Sequence, residues 1–317
     1  MQLFLETERV VMKHKVLIAG CGNVTGMNVI RALKDQDDIT VYGCDFDKEN
    51  PANLFCETIE VPRCVDVNYP DSIKKIIREK GITHIIASND HDVRALTELK
   101  NSNVEFPILN CYGEHTIDCL DKKATQSLFQ KAGVETPQII NCRNDYPYVL
   151  RIENMGKRKK FVHIVQNGED AECILEEEYE AGIMTRYVSG TEYTIDVLSD
   201  SNSNMLIAVP RERINVVGGM VHHARIVRDD MMIDQCAKVV ASVGLKGMSC
   251  IQCIKTDNNH YFFIEINPRP GSGIDLSINS GVNMPLLWIK ESVGEKVEVP
   301  SPKWGMQMKR FFSGYYY

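Results

Sequence analysis

The sequence predicts an α/β protein in two parts: a parallel sheet with crossover helices over residues 1–118, then an α+β domain over residues 119–317. Three observations carry this reading. Short apolar strands alternate with helical stretches in the first third of the chain. Beyond Asp118 the pattern changes to longer, more alternating strands with fewer helices between them. A polar strand end, Glu265-x-Asn267-x-Arg269, then runs into a glycine-rich loop, which places chemistry late in the second part.

In the first part, Lys15–Ala19 is a short buried strand, followed by Gly20, Gly22 and Gly26 and a helix over Met27–Leu33. Thr40–Cys44 is the next strand and stops at Asp45; Ser72–Lys80 is helical, His84–Ala87 a strand, and Val93–Lys100 helical again. In the second part, Lys122–Ala132 is a helix closed by Gly133, with Pro137 beyond. Strands follow at Tyr148–Ile152, Phe161–Val165, Ile183–Val188, Glu192–Leu198 and Met205–Val209. A helix near Ile233–Val243 precedes the last two strands, Met248–Lys255 and Tyr261–Ile266.

Bulk properties narrow the function classes. With 44% hydrophobic and 25% charged residues the chain can build a large core. A net charge of −7 argues against a nucleic-acid surface, and no apolar run is long enough to span a bilayer. Glu6 and Glu8 interrupt the N-terminal apolar stretch, so residues 1–11 read as a loosely held extension and not as a signal peptide. Eleven scattered cysteines read as reduced cytoplasmic thiols; Cys250 and Cys253 fall on opposite faces of a strand, which disfavours a metal or redox pair.

Each motif has a plain structural reading beside the chemical one. Gly20-x-Gly22-x-x-x-Gly26, with Asp45 ending the next strand, suits a dinucleotide; its third glycine is one residue late, and a tight strand–helix turn explains it as well. Asn89-Asp90-His91-Asp92 either contacts a substrate or caps the following helix. Lys122 opens a helix and either reaches a phosphate or is solvated. Arg151 ends an apolar strand, where a charge needs a partner. Lys157–Lys160 reads as a solvated loop. Glu192 follows a Gly190 turn, and Asp196 reads as structural. On the strand at 261–266, alternation sends Glu265 and Asn267 to one face, with Arg269 if extension persists, and Ile264 and Ile266 to the other. A carboxylate, an amide oxygen and a guanidinium suit a hard divalent cation plus phosphate. Gln252 joins that face if its strand pairs suitably.

From Asp121 to about Gly294 the chain resembles the ATP-grasp superfamily, nearest the carbamoyl-phosphate-synthase large-subunit type. The segments that carry the resemblance are, in order, DKKATQSLFQKAGVETP, YVLR, YVSGTEYTIDVL, GMSCIQCI, FFIEINPRPGSG and SGVNMPLL. It implies a Rossmann-like, pre-ATP-grasp N-terminal domain that does not bind NAD. A two-lobed ATP-grasp domain would follow, its small lobe at about 119–190 and its large lobe at about 191–317.

The resemblance also implies ATP with Mg²⁺ (or Mn²⁺). Lys122 and Arg151 would contact phosphates, with Arg211 or Arg213 as further contacts. Arg186, Tyr187 and Val188 would contact adenine mainly through backbone, and Glu192 would hold the ribose. Gln252, Glu265 and Asn267 would hold the metal, with Glu265, Asn267 and Arg269 as the catalytic group. Gly271 and Gly273 would offer N–H groups to an acyl phosphate, and His222 and His223, in a loop at 211–225, would approach the substrate. The chain departs from the family in two places: NMGKRKK replaces the glycine-rich lid, and Arg186 stands where many members carry an acid.

One module without an internal repeat points to a stand-alone cytoplasmic ligase joining a carboxylate to an amine, with small-molecule partners and neither nucleic acid nor membrane. A homodimer is open, since dimers are common among relatives. A non-catalytic nucleotide-binding subunit and an NAD(P)-dependent oxidoreductase are the alternatives.

Overall fold

The computed structural model describes residues 14–102, 105–152, 162–311 and 313–316. The chain divides into two compact units, Met1–Asn110 and Cys111–Tyr317, earlier than the expected boundary at 118.

The first unit is a five-stranded parallel sheet in the order β3-β2-β1-β4-β5. Its strands are β1 (His14–Ala19), β2 (Ile39–Asp45), β3 (Glu57–Glu60), β4 (His84–Ala87) and β5 (Ile108–Leu109). Helices α1 (Val24–Leu33), α2 (Tyr69–Lys80) and α3 (Asp90–Asn101) supply the crossovers. The central strand shows why the sheet is parallel: Val16, Leu17, Ile18 and Ala19 are all fully buried, as both faces are covered. Two helices start earlier than expected. Asn23 caps α1 by accepting from Gly26 N at 3.0 Å, and Asn89 caps α3 by accepting from Asp92 N at 3.0 Å.

The second unit holds two sheets. The smaller has the order β7-β6-β8, all antiparallel, from β6 (Tyr148–Ile152), β7 (Val162–Val165) and β8 (Gly182–Arg186). Short helices α5 (Gly168–Glu172) and α6 (Glu176–Ala181) lie between β7 and β8 in the chain. A small core of Tyr148, Leu150, Ile152, Val165 and Ile174 supports this sheet.

The larger sheet has the order β13-β12-β9-β10-β11-β14. It comprises β9 (Thr191–Ser199), β10 (Met205–Val217), β11 (Met220–Ile226), β12 (Gly247–Lys255), β13 (Tyr261–Asn267) and β14 (Gln307–Lys309). One face buries Ile195, Val197, Ala208, Ile251 and Phe263 against helices α4 (Lys122–Lys131) and α7 (Asp230–Val243). Helices α8 (Ile274–Asn279) and α9 (Met284–Ser292) follow β13. The opposite face carries the polar residues described below.

Three expectations change. Residues 211–225 are not a loop: β10 runs on to Val217 and pairs with β11 as a long hairpin, so His222 and His223 are strand residues. The helix at 122–131, expected in the small lobe, packs on the large sheet, because Leu128 and Phe129 enter its core; the Phe129 and Phe263 rings lie 5.7 Å apart. Strand alternation also breaks inside β13. The register slips between Gln252↔Glu265 and Cys253↔Phe263, which makes Ile264 a bulge residue. Ile266 enters the core and Ile264 does not, contrary to their expected common face.

Candidate functional site

Pairing register builds the site. Glu265 on β13 faces Gln252 on β12, Gln252 faces Thr194 on β9, and Thr194 faces Arg211 on β10. Four polar side chains thus form one row across four strands, on the face opposite the apolar core. The next row reads Asn267, Cys250, Asp196, Val209. Over these rows lies a cleft of about 130 Å³. The hairpin contributes Arg213, Gly219 and Val221 to its wall, and the loop after β13 contributes Arg269, Ser272 and Gly273.

Of the expected site residues, Gln252, Glu265, Asn267, Arg269 and Arg213 line this cleft. Lys122 joins them by contact, since its Nζ donates to Glu265 Oε1 from the first turn of α4. That lysine is placed by Asp121, which caps the helix by accepting from Ala124 N at 2.7 Å. Arg151 Nη1 donates to the carbonyl of bulge residue Ile264 at 2.9 Å. Burial lowers the pKa of the Arg151 guanidinium, and the Glu265 and Glu192 carboxylates act against that loss. These carboxylates supply the partner that an arginine at the end of an apolar strand requires.

Glu192 lies on β9, with its Oε1 3.1 Å from Arg213 Nε. Arg213 also donates through Nη1 to Thr194 Oγ1 at 3.1 Å and through Nη2 to the Gly219 carbonyl at 3.3 Å. β13 ends at Asn267, yet Arg269 still serves the same cleft: its Nη2 reaches back to Asn267 Oδ1 at 3.2 Å and its Nη1 donates to the Pro270 carbonyl at 3.2 Å.

The structure leaves other expected residues away from the cleft wall. Arg186 is forked onto Asp145, at 2.9 and 2.6 Å, and this pairing raises its pKa. Its backbone N–H goes to the Gln138 carbonyl at 2.8 Å and that of Tyr187 to the Pro147 carbonyl at 3.2 Å, whereas the Val188 N–H makes no hydrogen bond among the described residues. His223 Nε2 pairs with Gln307 Oε1 at 2.9 Å, and neither His222 nor His223 lines the cleft. The lid segment 154–160, with Lys157–Lys160, lies outside the described residues.

The glycine turn of the first unit is closed on itself. Asp45 Oδ2 accepts from Gly22 N at 3.0 Å and Oδ1 from Asp47 N at 3.1 Å. The acid that would bind a ribose is therefore committed to its own loop, and the tight-turn reading accounts for these residues. Gly20 is required here for two reasons: its φ is +68°, and a Cβ would come within 2.7 Å of Asn89, Asp92 and Ser88.

Sequence reasoning underrated Arg211. It is buried to 1% exposure and forks onto Asp196, with Nε–Oδ2 at 2.7 Å and Nη2–Oδ1 at 2.8 Å. Burial works against its charge, but Asp196 more than offsets that, so the pKa is raised. Ser277 Oγ on α8 donates to Asp196 Oδ2 at 2.6 Å. The Gly271–Gly273 loop lies directly on this group: a Cβ on Gly273 would stand 2.3 Å from Arg211 Nη1, and one on Gly271 3.3 Å from Asp196 Oδ1. Just after β14, Arg310 Nη2 holds the same loop through the Ser272 carbonyl at 3.0 Å and through Asp275 at 3.1 Å. The alternation P-R-E-R, which puts two arginines on one strand face, was the available clue; the polar run around it disguised the strand.

The donor set suits a hard cation. Glu265 supplies a carboxylate, and Asn267 and Gln252 supply amide oxygens, leaving further positions for water and phosphate oxygens. Among the described residues no cluster of three or more His, Cys, Asp or Glu side chains exists, so such a cation rests on mixed oxygen donors. Among the described residues no helix is long and apolar enough to cross a membrane.

This fold has known counterparts. Residues 178–311 match the family described as ATP-grasp in the biosynthetic pathway with Ter operon. Residues 16–109 match the PylC-like N-terminal domain. The second unit thus carries a segment that matches an ATP-grasp family, and the first unit one that matches a PylC-like N-terminal domain. No curated protein matches its sequence.

Among solved structures it resembles the ADP complex of PurK, an N5-carboxyaminoimidazole ribonucleotide synthetase, at TM-score 0.76 and 15% identity over 92% of this chain and 79% of that one. It also resembles the biotin carboxylase domain of Hydrogenobacter thermophilus 2-oxoglutarate carboxylase, in a complex with MgADP, ADP and bicarbonate. That TM-score is 0.72 at 17% identity, over 90% of this chain and 71% of that one. A third likeness is N5-carboxyaminoimidazole synthetase from Staphylococcus aureus complexed with ADP, at TM-score 0.71 and 16% identity over 90% and 79%. These likenesses establish the α/β ATP-grasp fold.

Proposed function

We propose that the protein is an ATP- and Mg²⁺-dependent ligase that activates a carboxylate as an acyl phosphate and joins it to an amine. The observation that carries this reading is the convergence of Lys122 and Arg151, from separate elements, on Glu265 and its neighbour Ile264 at the end of the polar row. Similar structures whose complexes contain ADP, one of them with magnesium and bicarbonate, support the nucleotide and the metal.

In this reading Lys122, Arg151 and Arg213 bind phosphate oxygens. Glu192 holds the ribose, and the backbone of Arg186–Val188 meets the adenine, since the Arg186 side chain is committed to Asp145. Glu265 and Asn267, with Gln252, hold Mg²⁺ (Mn²⁺ would fit the same donors). A cation held there would neutralise phosphate charge and polarise the γ-phosphoryl group. Arg269, oriented by Asn267, stabilises the phosphoryl group in flight.

A substrate carboxylate oxygen attacks the γ-phosphorus and ADP departs. The amine nitrogen then attacks the acyl carbon, phosphate leaves, and the nitrogen loses a proton. The chain's contribution is positioning and charge complementarity. Eleven free thiols suit a reducing cytoplasm.

The test is a thermal-shift comparison followed by turnover. ATP with Mg²⁺ should raise the melting temperature and NAD should not. Acid–amine pairs should then release ADP and phosphate. Glu265→Gln should cut turnover by about 10²–10³-fold, several kcal/mol of lost metal assistance. Failure of MgATP to stabilise the protein, or near-normal turnover in Glu265→Gln, would reject the reading.

A further inference from the structure

The first unit holds a cavity of its own. Its volume of about 470 Å³ falls within the range of small-molecule pockets, and Phe46, Glu60, Val61, Pro62 and Arg63 line it. It stands at the carboxyl ends of β2 and β3, the side of an open parallel sheet on which ligands are held. Asp45 and Glu60 are register partners, and Val61 N donates to the Asp45 carbonyl at 3.0 Å, so the two segments leave the sheet in step. Both walls are then tied down. Asp47 N donates to Asp45 Oδ1 at 3.1 Å and Glu49 N to Asp47 Oδ1 at 3.0 Å, while Asp66 N donates to the Arg63 carbonyl at 2.8 Å.

The side chains in this cavity are unlike in chemistry and unspent. Phe46 is 51% exposed, so its ring offers apolar surface there, beside Val61 and Pro62. The Arg63 guanidinium lies over that ring, with Cζ 3.8 Å from the centroid, and this stacking holds it in place. Among the described residues no acceptor takes its N–H groups, and no donor reaches the Glu60 carboxylate. A guanidinium and a carboxylate three residues apart thus line one cavity without pairing with each other or with any described neighbour. A simple anion would meet Glu60 unfavourably, a simple cation Arg63. A ligand that carries both charges on one small head, with an apolar group attached, satisfies every lining residue.

We propose that this cavity binds a zwitterionic α-amino acid with an apolar side chain. Arg63 takes its carboxylate, Glu60 its ammonium, and Phe46, Val61 and Pro62 its side chain. The seat lies wholly in the first unit and goes beyond the ligase reading without resting on it.

The probe is L-phenylalanine, titrated against the full chain by ligand-observed NMR. Phenethylamine, which lacks the carboxylate, and 3-phenylpropionate, which lacks the ammonium, are titrated beside it. Glu60 and Arg63 are both exposed, so Glu60→Gln and Arg63→Gln leave the core untouched; Arg78→Gln, at an exposed position on α2 outside the cavity lining, is the control. Wild type should bind phenylalanine, and each analogue about threefold or more weakly. Each of the two cavity variants should lose about threefold or more for phenylalanine, and the control should stay within about twofold of wild type.

The analogues assign the charges. Arg63→Gln should bind phenethylamine no more weakly than wild type does, and Glu60→Gln should bind 3-phenylpropionate no more weakly, because the partner of the missing charge is already gone. No binding of phenylalanine by wild type overturns the seat. So does equal binding by wild type and both variants, or loss of both analogues by both variants alike. A thermal shift with MgATP on the same proteins keeps the two claims apart. MgATP stabilisation without Arg63-dependent phenylalanine binding removes the seat and keeps the ligase reading; the reverse pattern does the opposite.

Discussion

Replacing Asp196 by alanine should be among the most damaging single changes in the second unit. Asp196 and Arg211 are each 1% exposed, and three hydrogen bonds converge on the carboxylate at 2.7, 2.8 and 2.6 Å. The variant strands a guanidinium in a site that cannot hydrate it, at a cost of about 3–5 kcal/mol. Against a typical total of about 5–15 kcal/mol this is a large fraction. For a unit of about 200 residues it corresponds to a fall in Tm of about 6–20 °C.

Ser277→Ala removes one charge-assisted bond and should cost about 1.5–3 kcal/mol. Asp196→Asn/Arg211→Gln keeps shape and polarity and should cost less than about 1.5 kcal/mol. Urea unfolding followed by fluorescence and by circular dichroism measures all three. If Asp196→Ala costs less than about 1 kcal/mol, or the double variant costs as much as the single, the buried pair does not hold this part of the fold together.

Other consequences are equally open to measurement. Gly273→Ala places a methyl 2.3 Å from Arg211 Nη1, whose guanidinium is locked to Asp196 and cannot withdraw freely; we expect about 1–3 kcal/mol of destabilisation, and a neutral result would mean that the loop shifts easily. His84 is buried beside His14, and burial lowers its pKa from 6.5 to about 4. A base whose folded pKa is depressed contributes stability above pH 6.5 that is lost as pH falls toward 4, here up to about 3 kcal/mol, and His84→Gln should flatten that slope in urea titrations of the first unit. Arg151→Met should weaken MgATP binding about tenfold or more in a calorimetric titration; unchanged affinity would remove Arg151 from the phosphate site. Burial pushes the Cys250 thiol up to about 12 and the Cys56 and Cys64 thiols up to about 11, so Cys142 and Cys173, the two exposed cysteines, should alkylate first near neutral pH, as peptide mass spectrometry would detect.

Much of the fold was legible because its signals are local. The fully apolar run at β1 and the clean strand at β4 are set by burial on both faces, and the Asp121 cap with Gly133 at φ +70° frames α4 as the residue types require. The hairpin at 205–226 was obscured because its strands carry charge on the face that lines the cleft. Arginines in such a run read as solvated until the sheet that buries them is known. The bulge at Ile264 was invisible for a related reason: register is decided by the partner strand, and only pairing with Gln252 and Cys253 reveals the extra residue. Residue types at Glu265, Asn267 and Arg269 marked the polar strand end that lines the cleft. That Lys122 would meet Glu265, and that Arg211 would be enclosed, follow from long-range packing.

The hold of Arg310 on Ser272 and Asp275 bears on the order in which the protein matures. Chains emerge from the ribosome N-terminus first, and domains tend to fold in that order. The parallel sheet of the first unit can assemble while the rest is still being made. The loop that walls the cleft is different, because one of its fastenings is a residue near 310. Until that residue has been added and β14 has docked beside β11, the cleft lacks a finished wall. A nascent chain would therefore lack a finished cleft until residue 310 has been made and has docked.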